Sequence, residues 1–165
     1  MPVGLVLDTC VVSESAKRAD LQSPYFRAWI REVDAADIAI PVATTFEIQC
    51  GIQKIAATNP AKSEALAEWL ETLLASDFHI QPMTAEIARL HARMVMTSAL
   101  KNLWLPTPKA GPQAPGQDLL IAATAIVLGA TVVTANTRDF EFIDRCFALP
   151  GLLNPIAEPQ PRMAL

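Results

Sequence analysis

The chain has 165 residues, 52% of them apolar, and a formal net charge of −4. That size and composition suit one compact domain with a sizeable core and exclude a disordered chain. The acidic balance excludes a general affinity for polyanions, so any nucleic-acid contact must be local or metal-mediated.

Other classes fall away on residue usage. No apolar run reaches the roughly 20 residues a membrane span needs. Val3–Leu7 is too short for a signal-peptide core and runs into an acid. A cytoplasmic protein is therefore expected. Cys10, Cys50 and Cys146 are odd in number and widely separated, which argues against structural zinc and a disulfide framework. His79 and His91 share no metal-ligand spacing.

In chain order, Gly4–Leu7 reads as a short apolar strand ended by Asp8, with Asp8 or Thr9 capping a short helix through Lys17. Ser23-Pro24 is a helix start, since proline is tolerated in the first turn. Phe26, Trp29, Ile30 and Val33 give that helix its stripe. Asp37–Ile40 is a second strand, stopped by Pro41, and Val42–Ala56 is a helix. Asn59-Pro60 starts another, striped by Leu66, Trp69, Leu70 and Leu73. Phe78–Ile80 is a third strand, and Thr84 caps a helix carrying Ile87, Leu90, Met94 and Val95. Lys101–Gln117, with four prolines and two glycines, reads as irregular throughout. A loop of that length inside a compact domain is usually functional or disordered.

The stretch Gly116–Phe140, GQDLLIAATAIVLGATVVTANTRDF, organises the rest. Asp118 heads a run, Leu119–Leu128, in which only Thr124 is polar, so this helix is buried on most sides. The acid sits where the helix dipole favours negative charge, and Gly129 is a natural terminator. Ala130–Thr134 follows as a buried strand, and the polar turn Ala135–Arg138 carries Asp139. The expectation is one α/β domain over residues 1–155, a parallel sheet with helices on both faces. The proline-containing tail, 156–165, is expected to be a loose end or a partner-contacting arm.

Ligands of such sheets bind beyond the carboxyl ends of the strands, where Asp8 and Asp139 fall. Glu47 lies inside a helix with the small residues Ala43, Cys50 and Gly51 one turn away, a slot that can approach the sheet closely. Taken singly, each acid has an ordinary reading: a cap for Asp8 or Asp118, an ion pair with Lys54 or Arg89 for Glu47. Several carboxylates within about 5 Å, however, repel by kcal/mol each, so some stay protonated or a divalent cation neutralises them. Oxygen ligands without His or Cys select a hard ion such as Mg²⁺ or Mn²⁺.

The order LVLDT, TTFEIQCGI, DLLIAATA and TVVTANTRDF resembles that of PIN-domain ribonucleases of the VapC type, closest to the FitB-like branch, over nearly the whole chain. The resemblance implies a three-layer fold with a central parallel sheet of about five strands. It also implies an RNA-hydrolysing activity dependent on Mg²⁺ or Mn²⁺, a toxin's role, a homodimer, and neutralisation by a small antitoxin of the VapB or FitA kind. Asp8, Glu47 and Asp118 would be the core metal ligands and catalytic acids, Asp139 the fourth, with Thr9, Thr134 and Asn136 at the pocket rim. The family commonly has Asn where this chain has Cys10, and the proline-rich loop is longer than typical. That loop is either a tolerated disordered insertion with no role or a substrate lip beside Asp118 formed by Trp104, Lys101 and Lys109.

Rival chemistries fail on residues. An aspartyl-nucleophile phosphatase wants a second Asp at position 10, and a metal-ion adhesion site wants Ser at positions 10 and 12. Cys10 and Val12 stand there. A histidine-driven cyclising ribonuclease lacks its acid–base pair. The alternative from another class is a non-catalytic interaction module whose acidic pocket accepts a partner's arginine.

Overall fold

The computed structural model describes residues 3–105 and 115–158. Alternation along three short strands decides the architecture. β1 (Leu5–Leu7) turns Val6 to one face of the sheet and Leu7 to the other; β2 (Ile38–Pro41) divides Ala39 from Ile38 and Ile40; β4 (Thr131–Val133) divides Val132 from Val133. Because successive strand side chains point to opposite faces, both faces are apolar and both must be covered. Helices α5 (Ala85–Val95), α6 (Asp118–Leu128) and α7 (Thr137–Asp144) cover the face of Val6, Ala39 and Val132. Helices α1 (Thr9–Ser15), α2 (Pro24–Glu32), α3 (Val42–Ala56) and α4 (Pro60–Leu74) cover the other.

With β3 (His79–Gln81) and β5 (Leu152–Leu153) the sheet has five strands, all parallel, in the order β3-β2-β1-β4-β5. The expected three-layer α/β fold is therefore present. Strand order reverses between β1 and β4, and the crevice that such a reversal leaves beyond the carboxyl ends of the strands is where ligands of open α/β sheets bind.

Local chemistry sets the boundaries as the sequence suggests. Ser23, Asn59 and Thr84 each cap a helix by accepting a backbone N–H, and Pro24 and Pro60 open the helices that follow. Gly129 ends α6 at φ +65°, a left-handed conformation that costs glycine little. Asp8 takes the cap of α1, accepting the Thr9 N–H.

Three expectations need correction. Residues Ser98–Leu103 form a 3₁₀ helix, so the proline-rich segment is irregular only beyond Leu103. Its first three residues are proline-free and continue the turn begun at Ser98. Asp139 lies in the first turn of α7 rather than in a polar turn before it, and Asn136 caps that helix. The segment also returns on itself: the Gly116 N–H donates to the Trp104 carbonyl at 3.1 Å. A Cβ at Gly116 would stand 2.2 Å from the Leu103 carbonyl oxygen, so the two stems meet only because residue 116 is glycine. The start of the expected tail is docked, with Pro155 buried and the Ile156 carbonyl accepting the Ser23 hydroxyl at 2.7 Å.

Candidate metal centre

Each acid reaches the crevice from a different element. Asp8 stands at the end of β1 and is only 4% exposed; Glu47 projects from the middle of α3; Asp118 is the first residue of α6; Asp139 lies in the first turn of α7. Of the small residues around Glu47, Ala43 is fully covered, whereas a Cβ at Gly51 would meet nothing within 4 Å, so no close approach is made there.

Rim residues tie the acids into two pairs. Thr9 donates its N–H to Asp8 Oδ1 at 2.6 Å and its hydroxyl to Glu47 Oε2. Asn136 Nδ2 donates to Asp118 Oδ2 at 3.2 Å and to Asp139 Oδ2 at 2.9 Å. Thr134 Oγ1 donates to Asp8 Oδ2 at 2.6 Å and accepts the Asn136 N–H at 2.9 Å, which joins the pairs. The Gln117 N–H, just before α6, donates to Glu47 Oε1 at 3.3 Å. Apart from Gln117, the sequence named every one of these residues.

The electrostatics are those of an uncompensated cluster. Burial pushes the Asp118 carboxyl up to about 7, with Asp8, Glu47 and Asp139 adding repulsion. Glu47 is also raised, by burial and then by Asp8, against the opposing hydrogen bonds from Thr9 and Gln117. The ion pairs found among the described residues, Lys17–Glu14 and Arg18–Asp20, involve none of the four acids. Lys54 and Arg89, the partners the sequence offers Glu47, do not pair with it.

Among the described residues, no three His, Cys, Asp or Glu are drawn together as a closed ligand set. The four acids nevertheless couple to one another through Asp118. An all-oxygen donor set, with Asp8 buried, the other three acids half-buried and no counter-cation among the described residues, fits a hard divalent ion that would draw the two pairs together.

Sequence reasoning missed three features. Cys10 bonds Asp8 directly, its Sγ donating to Oδ2 at 3.1 Å. Glu14, 4% exposed, is a buried acid outside the cluster, held by Lys17 Nζ at 2.5 Å and the Ser23 N–H at 2.6 Å. Arg138 and Arg145 line a hollow of about 380 Å³ together with Asp139, Glu141, Phe142 and Leu103. Helical spacing on α7, with Phe142 between the two arginines, was the available signal for that hollow.

The proposed lip divides. Lys101 is exposed on the 3₁₀ helix, Lys109 lies outside the described residues, and Trp104 is half-buried against the core with its indole N–H enclosed and unpaired. His79 bonds Gln81, and His91, lowered in pKa by burial, stands on α5; neither is bonded to the acids.

The PIN-domain family model matches residues 5–145. A chain of the FitAB complex bound to the IR36 DNA fragment is 25% identical and superposes with a TM-score of 0.69, covering 94% of this chain and 98% of that one. A chain of FitAcB from Neisseria gonorrhoeae is 26% identical with a TM-score of 0.68, covering 92% and 97%. One from VapBC2 of Rickettsia felis, bound to promoter DNA, shares the fold at 23% identity and a TM-score of 0.65, covering 91% and 97%. No curated protein is matched.

Proposed function

The chain belongs to the PIN-domain family, and on that premise we propose that it is a divalent-metal-dependent endoribonuclease, the toxin half of a toxin–antitoxin pair. The observation that supports this most is four acids from four elements, tied together by Thr9, Thr134 and Asn136 and joined in no ion pair among the described residues. Asp8, Glu47 and Asp118 would hold Mg²⁺ or Mn²⁺, with Asp139 as the fourth acid. When bound, the ion supplies an activated water at neutral pH and neutralises charge on the phosphate being cleaved.

The protein's own part is positioning and proton bookkeeping. Thr134 and Thr9 fix the Asp8 carboxylate, and the Asn136 amide spaces Asp118 from Asp139. Asp118, raised to about 7, is part-protonated near neutrality and would give up that proton once a cation compensated the surrounding negative field. Acids gathered at the end of the sheet suit single-stranded RNA, whose splayed backbone reaches them where a duplex cannot.

Partners follow the same reading. An apolar groove of about 500 Å³ lies between α1, α3 and α4, with Leu21, Ile52, Leu66 and Trp69 in its wall and Thr9 and Glu47 at its edge. An antitoxin segment would lay its apolar face there and send an arginine or lysine to the acids. Related chains occur in the FitAB and VapBC complexes. The expected homodimer belongs to the same proposal.

The test is cleavage of single-stranded RNA by the purified, partner-free chain with Mg²⁺, Mn²⁺ or EDTA, and with Asp118→Asn as control. Metal-dependent cutting lost in the variant is the expected result. Tight binding of an arginine-bearing partner, with no cleavage under any metal condition, would leave the non-catalytic module instead.

A further inference from the structure

Cys10 reaches both sides of the crevice. Its Sγ donates to Asp8 Oδ2 at 3.1 Å, accepts the Ala135 N–H at 3.2 Å, and lies 3.5 Å from Thr134 Oγ1. Thr134 Oγ1 donates to the same carboxylate oxygen at 2.6 Å and accepts the Asn136 N–H at 2.9 Å. The thiol and the hydroxyl are thus arranged alike. Each donates to Oδ2, and each is oriented by a backbone N–H of the turn that follows β4.

A carboxylate oxygen has two in-plane lone-pair sites. At Oδ2 both are taken, by Cys10 and Thr134, whereas Oδ1 receives only the Thr9 N–H. The carboxylate is therefore clamped about its bond with one oxygen saturated and the other left with a free lone pair. The same turn carries Asn136 onto Asp118 and Asp139, so the clamp also sets the distance between the two acid pairs.

We propose that Cys10 is a positioning residue of the metal centre: with Thr134 it saturates Asp8 Oδ2 and leaves Oδ1 as the oxygen offered to the cation. This rests on the metal-dependent reading above. Sulfur makes longer hydrogen bonds than an amide or hydroxyl, and a thiol at this position spans from Asp8 to the Ala135 N–H in a single step. Losing Sγ leaves Oδ2 one donor short and the Ala135 N–H without its acceptor. The carboxylate is then held by Thr9 and Thr134 alone, and the turn loses one of its ties to β1.

The test is Mn²⁺ affinity by calorimetry on the full chain, with the Tm of each protein in EDTA. Cys10→Ala should weaken Mn²⁺ binding about tenfold or more, the usual cost of removing a group that orients a metal ligand. Cys10→Ser, which restores a donor and an acceptor, should recover most of that loss while all EDTA Tm values stay close together. Cys10→Val fills the space without a donor and takes the place of the alanine variant if that protein does not fold. Its affinity should fall as far. Parent-like Mn²⁺ affinity in the donorless variants, or a serine variant as weak as alanine, overturns the assignment. A parent that binds no Mn²⁺ overturns the nuclease reading and this inference with it. A parent that binds Mn²⁺ and cuts RNA beside an unaffected alanine variant overturns this inference alone.

Discussion

Asn136 Nδ2 stands 3.2 Å from Asp118 Oδ2, and its second proton goes to Asp139 Oδ2 at 2.9 Å. One neutral amide thus spends both donors on two acids from different helices, which would otherwise meet with only repulsion between them. A bridging amide of this kind orients the acids without neutralising them, and so leaves their charge for a cation.

Asn136→Ala should therefore lower RNA cleavage by roughly ten- to a hundredfold, the range typical of groups that orient metal ligands. Initial rates across a Mn²⁺ titration are the measurement, and more Mn²⁺ should be needed for half-maximal rate. Rates equal to the parent at every Mn²⁺ concentration would remove the amide from the centre.

Asp118 gives stability a distinctive pH dependence. Its carboxyl titrates at about 7 in the fold, against 3.8 for an ordinary Asp, so between these values the native state binds more protons than the unfolded chain. Stability in EDTA should fall as pH rises from about 4 to about 7 and stay low above, a loss on the order of a few kcal/mol. Asp118→Asn should erase that loss. The variant should melt above the parent at pH 8 in EDTA and close to it near pH 4, and Mn²⁺ should raise the parent's Tm at pH 8. A variant that melts below the parent at pH 8 would make Asp118 a structural cap.

What was legible in the sequence follows from how local each signal is. The buried helix α6 announced itself because an unbroken apolar run, a leading acid and a terminal glycine all lie within Asp118–Gly129. The proline and Ser, Thr or Asn caps of α2, α4 and α5 were readable for the same reason. The fifth strand was not readable from pattern, because Leu152–Leu153 is too short to show alternation and is fixed by pairing with β4. The acids emerged from their order along the chain. The thiol's place did not emerge, because its bond to Asp8 is local but its orientation is set by Thr134 and Ala135, more than a hundred residues away in sequence. Glu14 was passed over for a similar reason: its partner at the Ser23 N–H belongs to the next helix start.

The cations beside Asp139 bear on substrate choice. Arg138, Phe142 and Arg145 follow one another at helical spacing on α7, all exposed, Phe142 to 38%. They share a hollow with Asp139, while Trp104 packs against the core. If RNA leaves the acids along this face, the double variant Arg138→Ala, Arg145→Ala should weaken binding and reduce the salt slope by roughly one to two. Phe142→Ala should cost more affinity than Trp104→Ala does, since stacking on an exposed ring is worth roughly 1–3 kcal/mol per base. Binding is measured at two salt concentrations in an Asp118→Asn background. An unchanged salt slope, or a larger loss from Trp104→Ala, would return the substrate to the 3₁₀ helix and Lys101.

Glu14 supplies the opposite case to Asp118 among buried acids. Burial alone would raise its pKa, but the Lys17 ammonium and the Ser23 N–H hold it below the ordinary value. A depressed carboxyl contributes stability that is present above its unfolded pKa and is lost as pH falls through the folded one. Its place is structural: it pins the start of α2 to α1, outside the acid pairs. Glu14→Gln should cost roughly 1–3 kcal/mol at pH 7 by weakening two charge-assisted hydrogen bonds, and less as pH falls through the parent's depressed carboxyl pKa. Mn²⁺ affinity should not change. Thermal melts at pH 3.5 and 7 measure the first effect and a Mn²⁺ titration the second. Together they separate an acid that holds the fold from acids that strain it, because Asp118→Asn should raise Tm at neutral pH and lower the Mn²⁺ affinity that Glu14→Gln leaves unchanged. A Glu14→Gln protein that keeps its stability at pH 7 but loses Mn²⁺ would place this acid in the metal centre after all.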